Sequence, residues 1–187
     1  MPPPSEPGVA RVEVEEAAAR IDGRVRETPV LELEPQALGS AEPVSLKLEL
    51  LQRTGSFKLR GALSALRAIA APRAGVVAAS GGNFGVAVAV AARELGIPAT
   101  IFVPEASPPA KVDLLREEAT EVVVVGAYYD DALVASRERA AQTGCARVAS
   151  LRRSPDRRRA GHLRAGARSP ATRARPVSYT HLTLPTN

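Results

Sequence analysis

Apolar residues recur along this chain with two periods, and the switches between them lay out its elements. Val14, Ala17, Ala18, Ile21 and Val25 share one helical face, which predicts a helix over Val12–Val25 stopped at Thr28-Pro29, where the residue before proline is steered out of the helical region. Val30–Leu33 and Val44–Leu50 alternate as short strands do. From Gly61 the pattern becomes regular. It predicts a helix over Ala62–Ala71, a strand at Val76–Ala79, a helix over Asn83–Leu95 closed by Gly96, and a strand at Ala99–Val103. A helix opened by Pro108-Pro109 and running to Glu118 follows, then a valine-rich strand over Glu121–Val125, expected to be fully buried. A helix over Asp130–Gln142 with an aspartate cap and a fourth strand from Arg147 to Ala149 complete the series. Strands and helices alternating at this spacing predict an α/β fold, a parallel sheet with flanking helices built from right-handed crossovers. Glu15-Glu16 and Glu117-Glu118 read as solvated helix faces.

Composition narrows the core and the partners. The chain has 187 residues, 45% of them hydrophobic but only 3% aromatic, so its core is made of Ala, Val and Leu. The net charge of +5 is unevenly spread: residues 151–187 hold nine arginines against Asp156, leaving 16 basic and 19 acidic residues before them. Basicity confined to the tail argues against a nucleic-acid surface on the folded part. No run reaches the ~18 apolar residues of a membrane span, and the N-terminus lacks the regions of a signal peptide. One cysteine, Cys145, forms no internal disulfide, and a cytoplasmic location is expected. His162 and His181 both lie in the tail, so neither a metal site nor a serine–histidine pair is expected in the folded part.

Two turns hold the candidate chemistry. Gln52–Arg60 places Lys58, one of only three lysines, just after a Thr-Gly-Ser turn at the start of a helical run. A cation there opposes the helix dipole, an arrangement suited to an amine that is to be kept neutral or consumed by a carbonyl. Ser80–Gly85, Ser-Gly-Gly-Asn-Phe-Gly, ends a strand and opens a helix with backbone N–H groups that suit a phosphate or carboxylate. It matches neither the dinucleotide fingerprint nor a Walker loop. Taken singly, each turn is also an ordinary surface lysine or a tight strand–helix connection.

Taken together, Leu51–Ala62 and Ala79–Asn83 closely resemble the pyridoxal-phosphate-dependent serine/threonine dehydratases, members of the fold type II group that includes threonine synthase and the tryptophan synthase β-subunit. Gly96–Pro104 and Pro109-Ala110-Lys111 extend the resemblance, which runs from about Val12 to Ser150. It implies that Lys58 forms the covalent link to the cofactor pyridoxal 5′-phosphate and takes the substrate's α-proton. Phe57 would pack next to the cofactor ring and Asn83 would hydrogen-bond its 3′-oxygen. Ser80, Gly81, Gly82 and Asn83 would cradle the substrate carboxylate. Gly81 stands where the family's serine racemases carry a serine, which favours dehydration over racemisation, and Phe84 stands where many members have histidine. The implied reaction is the α,β-elimination of L-threonine or L-serine to a 2-oxo acid and ammonia.

The same resemblance calls for a glycine-rich loop for the cofactor phosphate and a polar group facing the pyridine nitrogen, both C-terminal to Ser150. The chain instead continues Leu151-Arg152-Arg153-Ser154-Pro155-Asp156 with no apolar periodicity. Codons permitted for Leu151–Arg164, read one base later, spell Tyr-Asp-Glu-Ala-Pro-Thr-Val-Val-Ala-Pro-Gly-Thr-Cys, close to the family's continuation. The expected organisation is therefore a disordered stretch over 1–8, an N-terminal part of the large cofactor domain over 9–49, a small α/β domain over 50–150, and a disordered or out-of-frame tail over 151–187. On that expectation the chain is an incomplete enzyme of weak or no activity, whose partner is a small amino acid and whose parent is a homo-oligomer. The rival readings are a non-catalytic binding module and another fold type II enzyme: a hydroxyaspartate or diaminopropionate lyase, or a threonine synthase-like protein.

Overall fold

The computed structural model describes residues 11–39, 41–69, 73–149 and 177–178. The helices are α1 (Arg11–Ile21), α2 (Lys58–Ala68), α3 (Asn83–Glu94), α4 (Pro109–Glu118) and α5 (Tyr129–Thr143). The strands are β1 (Val30–Leu33), β2 (Val44–Lys47), β3 (Val76–Ala79), β4 (Ala99–Val103), β5 (Glu121–Val124), β6 (Ala146–Arg147) and β7 (Val177–Ser178). β1 and β2 form an antiparallel pair, and β7 lies parallel to β2 with Ser45 opposite Val177. Apart from Val177–Ser178, the tail and its expected disorder or frame slip lie outside the described residues, as does the expected disorder of residues 1–8.

The second sheet is the parallel one that the alternation predicts, with strand order β5-β4-β3-β6. Its strands point side chains to opposite faces with a period of two. Val76, Ala78, Ile101 and Val103 enter the main core with Leu59, Leu63 and Leu66 of α2 and Val88, Ala91 and Ala92 of α3. Val77, Ala79 and Phe102 face the other way, against Ala132 of α5. The chain thus steps from β3 to β4 to β5 with α3 and α4 on one face. It then returns beneath α5 to place β6 on the far side of β3. The winding reverses at β3, and in open α/β sheets the crevice beyond the strand ends at such a reversal is where ligands bind.

Differences from the sequence expectations have local causes. The helix expected from Ala62 begins a turn earlier, at Lys58, because Leu59 extends the buried stripe of Leu63 and Leu66. The strand expected to reach Leu50 stops at Lys47, where the chain enters a short 3-10 turn over Glu49–Leu51. The valine strand β5 is not fully buried: among the described residues it is the sheet edge, paired only with β4, and Val124 is 44% exposed. Tyr128 rather than an aspartate takes the N-cap of α5, while Asp131 caps from three residues on, accepting from the Tyr128 N–H at 2.9 Å. Glu118 is not solvated; its carboxylate lies 2.9 Å from the Arg93 guanidinium.

Candidate active site

The Lys58 turn is fastened by a buried polar network. Glu49 is 2% exposed and accepts from Arg60 Nη2 at 2.8 Å, from Arg60 Nε at 3.0 Å and from Thr28 Oγ1 at 2.6 Å. Arg60 Nη2 also donates to the Arg26 carbonyl at 2.9 Å. The buried side chain of Gln52 binds both backbone groups of Arg26, accepting from its N–H and donating to its carbonyl, each at 3.0 Å. Lys47 donates to the Thr28 carbonyl from a site 1% exposed. Burial lowers its pKa, the nearby Arg60 charge lowers it further, and Glu49 and Glu27 partly oppose both. These contacts join the segment before β1 to both flanks of Thr54-Gly55-Ser56-Phe57, so the base of Lys58 has little freedom. Gly55 turns the chain with φ +67, a backbone conformation that glycine adopts without strain.

Lys58, a half-buried residue, is the first of α2, and its ammonium lies 4.8 Å from the centroid of the Phe57 ring. Phe57, expected beside the cofactor ring, is thus placed against the lysine itself. Ser56 Oγ is buried and has no hydrogen-bond partner among the described residues. A buried polar atom left without a partner is uncommon in a folded protein.

The second turn leaves the end of β3. The Ser80 N–H extends the ladder to the Phe102 carbonyl at 2.9 Å, and Ser80 Oγ accepts from the Gly82 N–H at 3.3 Å. Gly82 is the N-cap of α3 with no side-chain cap, and Asn83 is that helix's first residue. Two glycines here are demanded by space. A Cβ on Gly85 would lie 2.1 Å from the Ser80 carbonyl oxygen, and one on Gly81 would lie 2.1 Å from Ser107 Oγ. At Gly82 nothing stands within 4 Å of that position, so the turn is open on this side.

Ser80, Gly81 and Gly82 line an open depression of about 410 Å³ beyond the ends of β3, β4 and β5, facing Pro104, Ser107 and Tyr128. Asn83 and Lys58 are outside its lining. They are related through their helices: α2 packs on α3, and Leu59 and Phe84, each one residue past the candidate, belong to one core cluster. Sequence reasoning missed the roles of two groups, one in the β4–α4 connection and one in the first turn of α4. Ser107 occupies the side-chain space of residue 81, and Lys111 Nζ donates to Asn83 Oδ1 at 3.2 Å. The signals at hand were Pro108-Pro109, which fixes where α4 begins, and the Pro109-Ala110-Lys111 motif, which marks Lys111 without giving its partner.

The donor set fits one side of a pyridoxal phosphate site: the amine of a half-buried lysine to meet the aldehyde, an aromatic ring against it, an amide at a helix start and an orphaned hydroxyl beside the lysine. A model of the pyridoxal-phosphate dependent enzyme family matches residues 21–167, and the chain belongs to that family. Within it, the chain groups with the threonine/serine dehydratases, whose cofactor is pyridoxal 5′-phosphate. It is 40% identical over 127 residues to an L-threonine ammonia-lyase of Geobacter sulfurreducens, a match covering 66% of this chain and 31% of the relative. It is 41% identical over 140 residues to an L-threo-3-hydroxyaspartate ammonia-lyase of a Pseudomonas species, covering 74% and 44%. The structure of maize serine racemase superposes with a TM-score of 0.73 at 28% identity, covering 83% of this chain and 48% of that one. The chain therefore spans less than half the length of these relatives. No helix among the described residues is long and apolar enough to cross a membrane.

Proposed function

We propose that this chain carries the lysine-bearing side of an active site for α,β-elimination of a β-hydroxy amino acid, L-threonine or L-serine, releasing a 2-oxo acid and ammonia. The observation that carries this reading is the pairing of Lys58, fixed at the start of α2 over Phe57, with the Ser80–Asn83 turn at the start of α3, on two helices that pack together. L-threo-3-hydroxyaspartate is the alternative substrate, supported by the Pseudomonas relative.

Lys58 and Asn83 would hold the cofactor, with Phe57 against it. The bound cofactor supplies an electron sink that makes the substrate's Cα–H acidic. Lys58 Nζ is the base that takes this proton, and the network around Glu49 and Arg60 holds its backbone still while it does so. The backbone N–H groups at the open side of the Ser80–Asn83 turn orient the substrate carboxylate, aided by the positive end of α3. Residue 81 offers no side chain for a second proton transfer, since Ser107 fills that space. In this reading residues 50–150 form the small domain and residues 9–49 belong to the large one. The cofactor phosphate is then held by groups outside this span, and the chain alone turns over weakly or not at all.

The test is 2-oxobutanoate release from L-threonine in the presence of pyridoxal 5′-phosphate, run in parallel with L-serine and L-threo-3-hydroxyaspartate. Trace release at most is expected from this chain. Turnover at an ordinary enzyme rate of about 10 per second would overturn the half-site reading. Deleting residues 151–187 separates a binding module, which loses its partner, from a half-site, which keeps its reactive lysine.

A further inference from the structure

Lys111 stands in the first turn of α4, where its backbone N–H bonds the Pro108 carbonyl at 2.9 Å. The placement is electrostatically poor. A cation in a helix's first turn opposes the macrodipole, and Lys111 reaches the first residue of α3, so it faces the positive ends of two helices. Neither first turn carries an acidic residue, and neither N-cap supplies a side-chain cap. Among the described residues Lys111 makes no ion pair, and Asp113, the nearest acid on its helix, is paired with Arg116 at 3.0 Å. Its ammonium donates to Asn83 Oδ1 at 3.2 Å, in a partly buried setting.

That bond sets which way the amide faces. An asparagine side chain has one acceptor oxygen and one NH2 group on opposite sides. A cation on Oδ1 cannot be exchanged for the NH2 group without placing donor against donor, so the amide is locked with Nδ2 directed away from α4. We propose that Lys111 is a positioning residue: it fixes Asn83 as a hydrogen-bond donor toward the cofactor oxygen. This rests on the proposed function, in which Asn83 binds that oxygen. With Lys111 removed, the amide loses the contact that keeps its oxygen turned toward α4, and an oxygen presented to the cofactor would repel an oxyanion.

The test compares the unchanged chain with Lys111→Met and Lys111→Arg, each incubated with pyridoxal 5′-phosphate and reduced with borohydride. The pyridoxyl label at Lys58 is then quantified by peptide mass spectrometry. A charged hydrogen bond lost from the site predicts about tenfold less label in Lys111→Met, with Lys111→Arg within about twofold of the unchanged chain. Equal label in Lys111→Met, or an equal fall in Lys111→Arg, overturns the inference while leaving the proposed function standing. An unlabelled Lys58 in the unchanged chain overturns both. Should Lys111→Met fail to fold, Lys111→Leu is labelled in its place and judged by the same limits.

Discussion

Arg60, two residues beyond Lys58, and Glu49 meet at 2.8 Å in an ion pair almost closed to solvent, with side chains 6% and 2% exposed. Breaking a buried pair by removing one partner leaves an uncompensated charge and costs about 3–5 kcal/mol. Glu49→Ala leaves the buried Arg60 without its ion-pair partner, so a loss in that range is expected from urea unfolding. Arg60→Lys keeps the charge but not the two-pronged contact and should lose a smaller amount. Unfolding midpoints unchanged in both variants would mean that the network does not hold the Lys58 turn.

Gly81 and Ser107 compete for one volume. A Cβ at residue 81 meets Ser107 Oγ at 2.1 Å and Ser107 Cβ at 2.9 Å, so Gly81→Ala should cost about 1–3 kcal/mol by overpacking. Ser107→Gly removes both atoms and should relieve most of that cost. A double-mutant cycle is expected to show a coupling of about 1–3 kcal/mol, and strict additivity would show that the loop simply moves aside.

Gly85 presses on the same turn from behind, where a Cβ would meet the Ser80 carbonyl oxygen at 2.1 Å. Gly85→Ala must therefore shift Ser80 or the first turn of α3. Amide chemical shifts of Ser80–Asn83 should change while those near Gly144, remote in sequence and at the end of α5, stay in place.

Glu94 closes α3 between Arg24, at 3.0 Å, and Arg53. Burial alone would raise its carboxyl pKa, but the hydrogen bonds from Arg53 and Arg24 outweigh it and hold the value below that of an ordinary glutamate. A pKa lower in the folded state means that the unfolded chain binds more protons in the acid window, so stability rises with pH there. The contribution of Glu94 is present above its ordinary pKa and is lost as pH falls through the lowered one. Urea midpoints measured down the acid limb should fall less steeply for Glu94→Gln than for the unchanged chain.

How much of this was legible beforehand depends on the range of the forces involved. β3, β4, α4 and the start of α3 were read correctly because local signals, a β-branched run, a Pro-Pro helix start and a glycine turn, agree with the tertiary outcome. The burial of β5 was misread because four valines in a row look the same in a central strand and at an edge; only the strand order decides. The motif marks Lys58 and the Ser80–Asn83 turn in the sequence, and the structure puts Lys58 and Asn83 at two helix starts. The contacts that aim them were not legible: Glu49 to Arg60, Lys111 to Asn83 and Ser107 against Gly81 join residues 11 to 28 positions apart, and no periodicity records such meetings.

The central claim is that Lys58 is the amine that meets pyridoxal phosphate. Borohydride reduction with the cofactor present, followed by peptide mapping, tests it directly. The chain has only three lysines, and Lys47 is 1% exposed. The account predicts saturable labelling at Lys58 that vanishes in Lys58→Ala. Label spread between Lys111 and the terminal amine, with Lys58 unmodified, would contradict it.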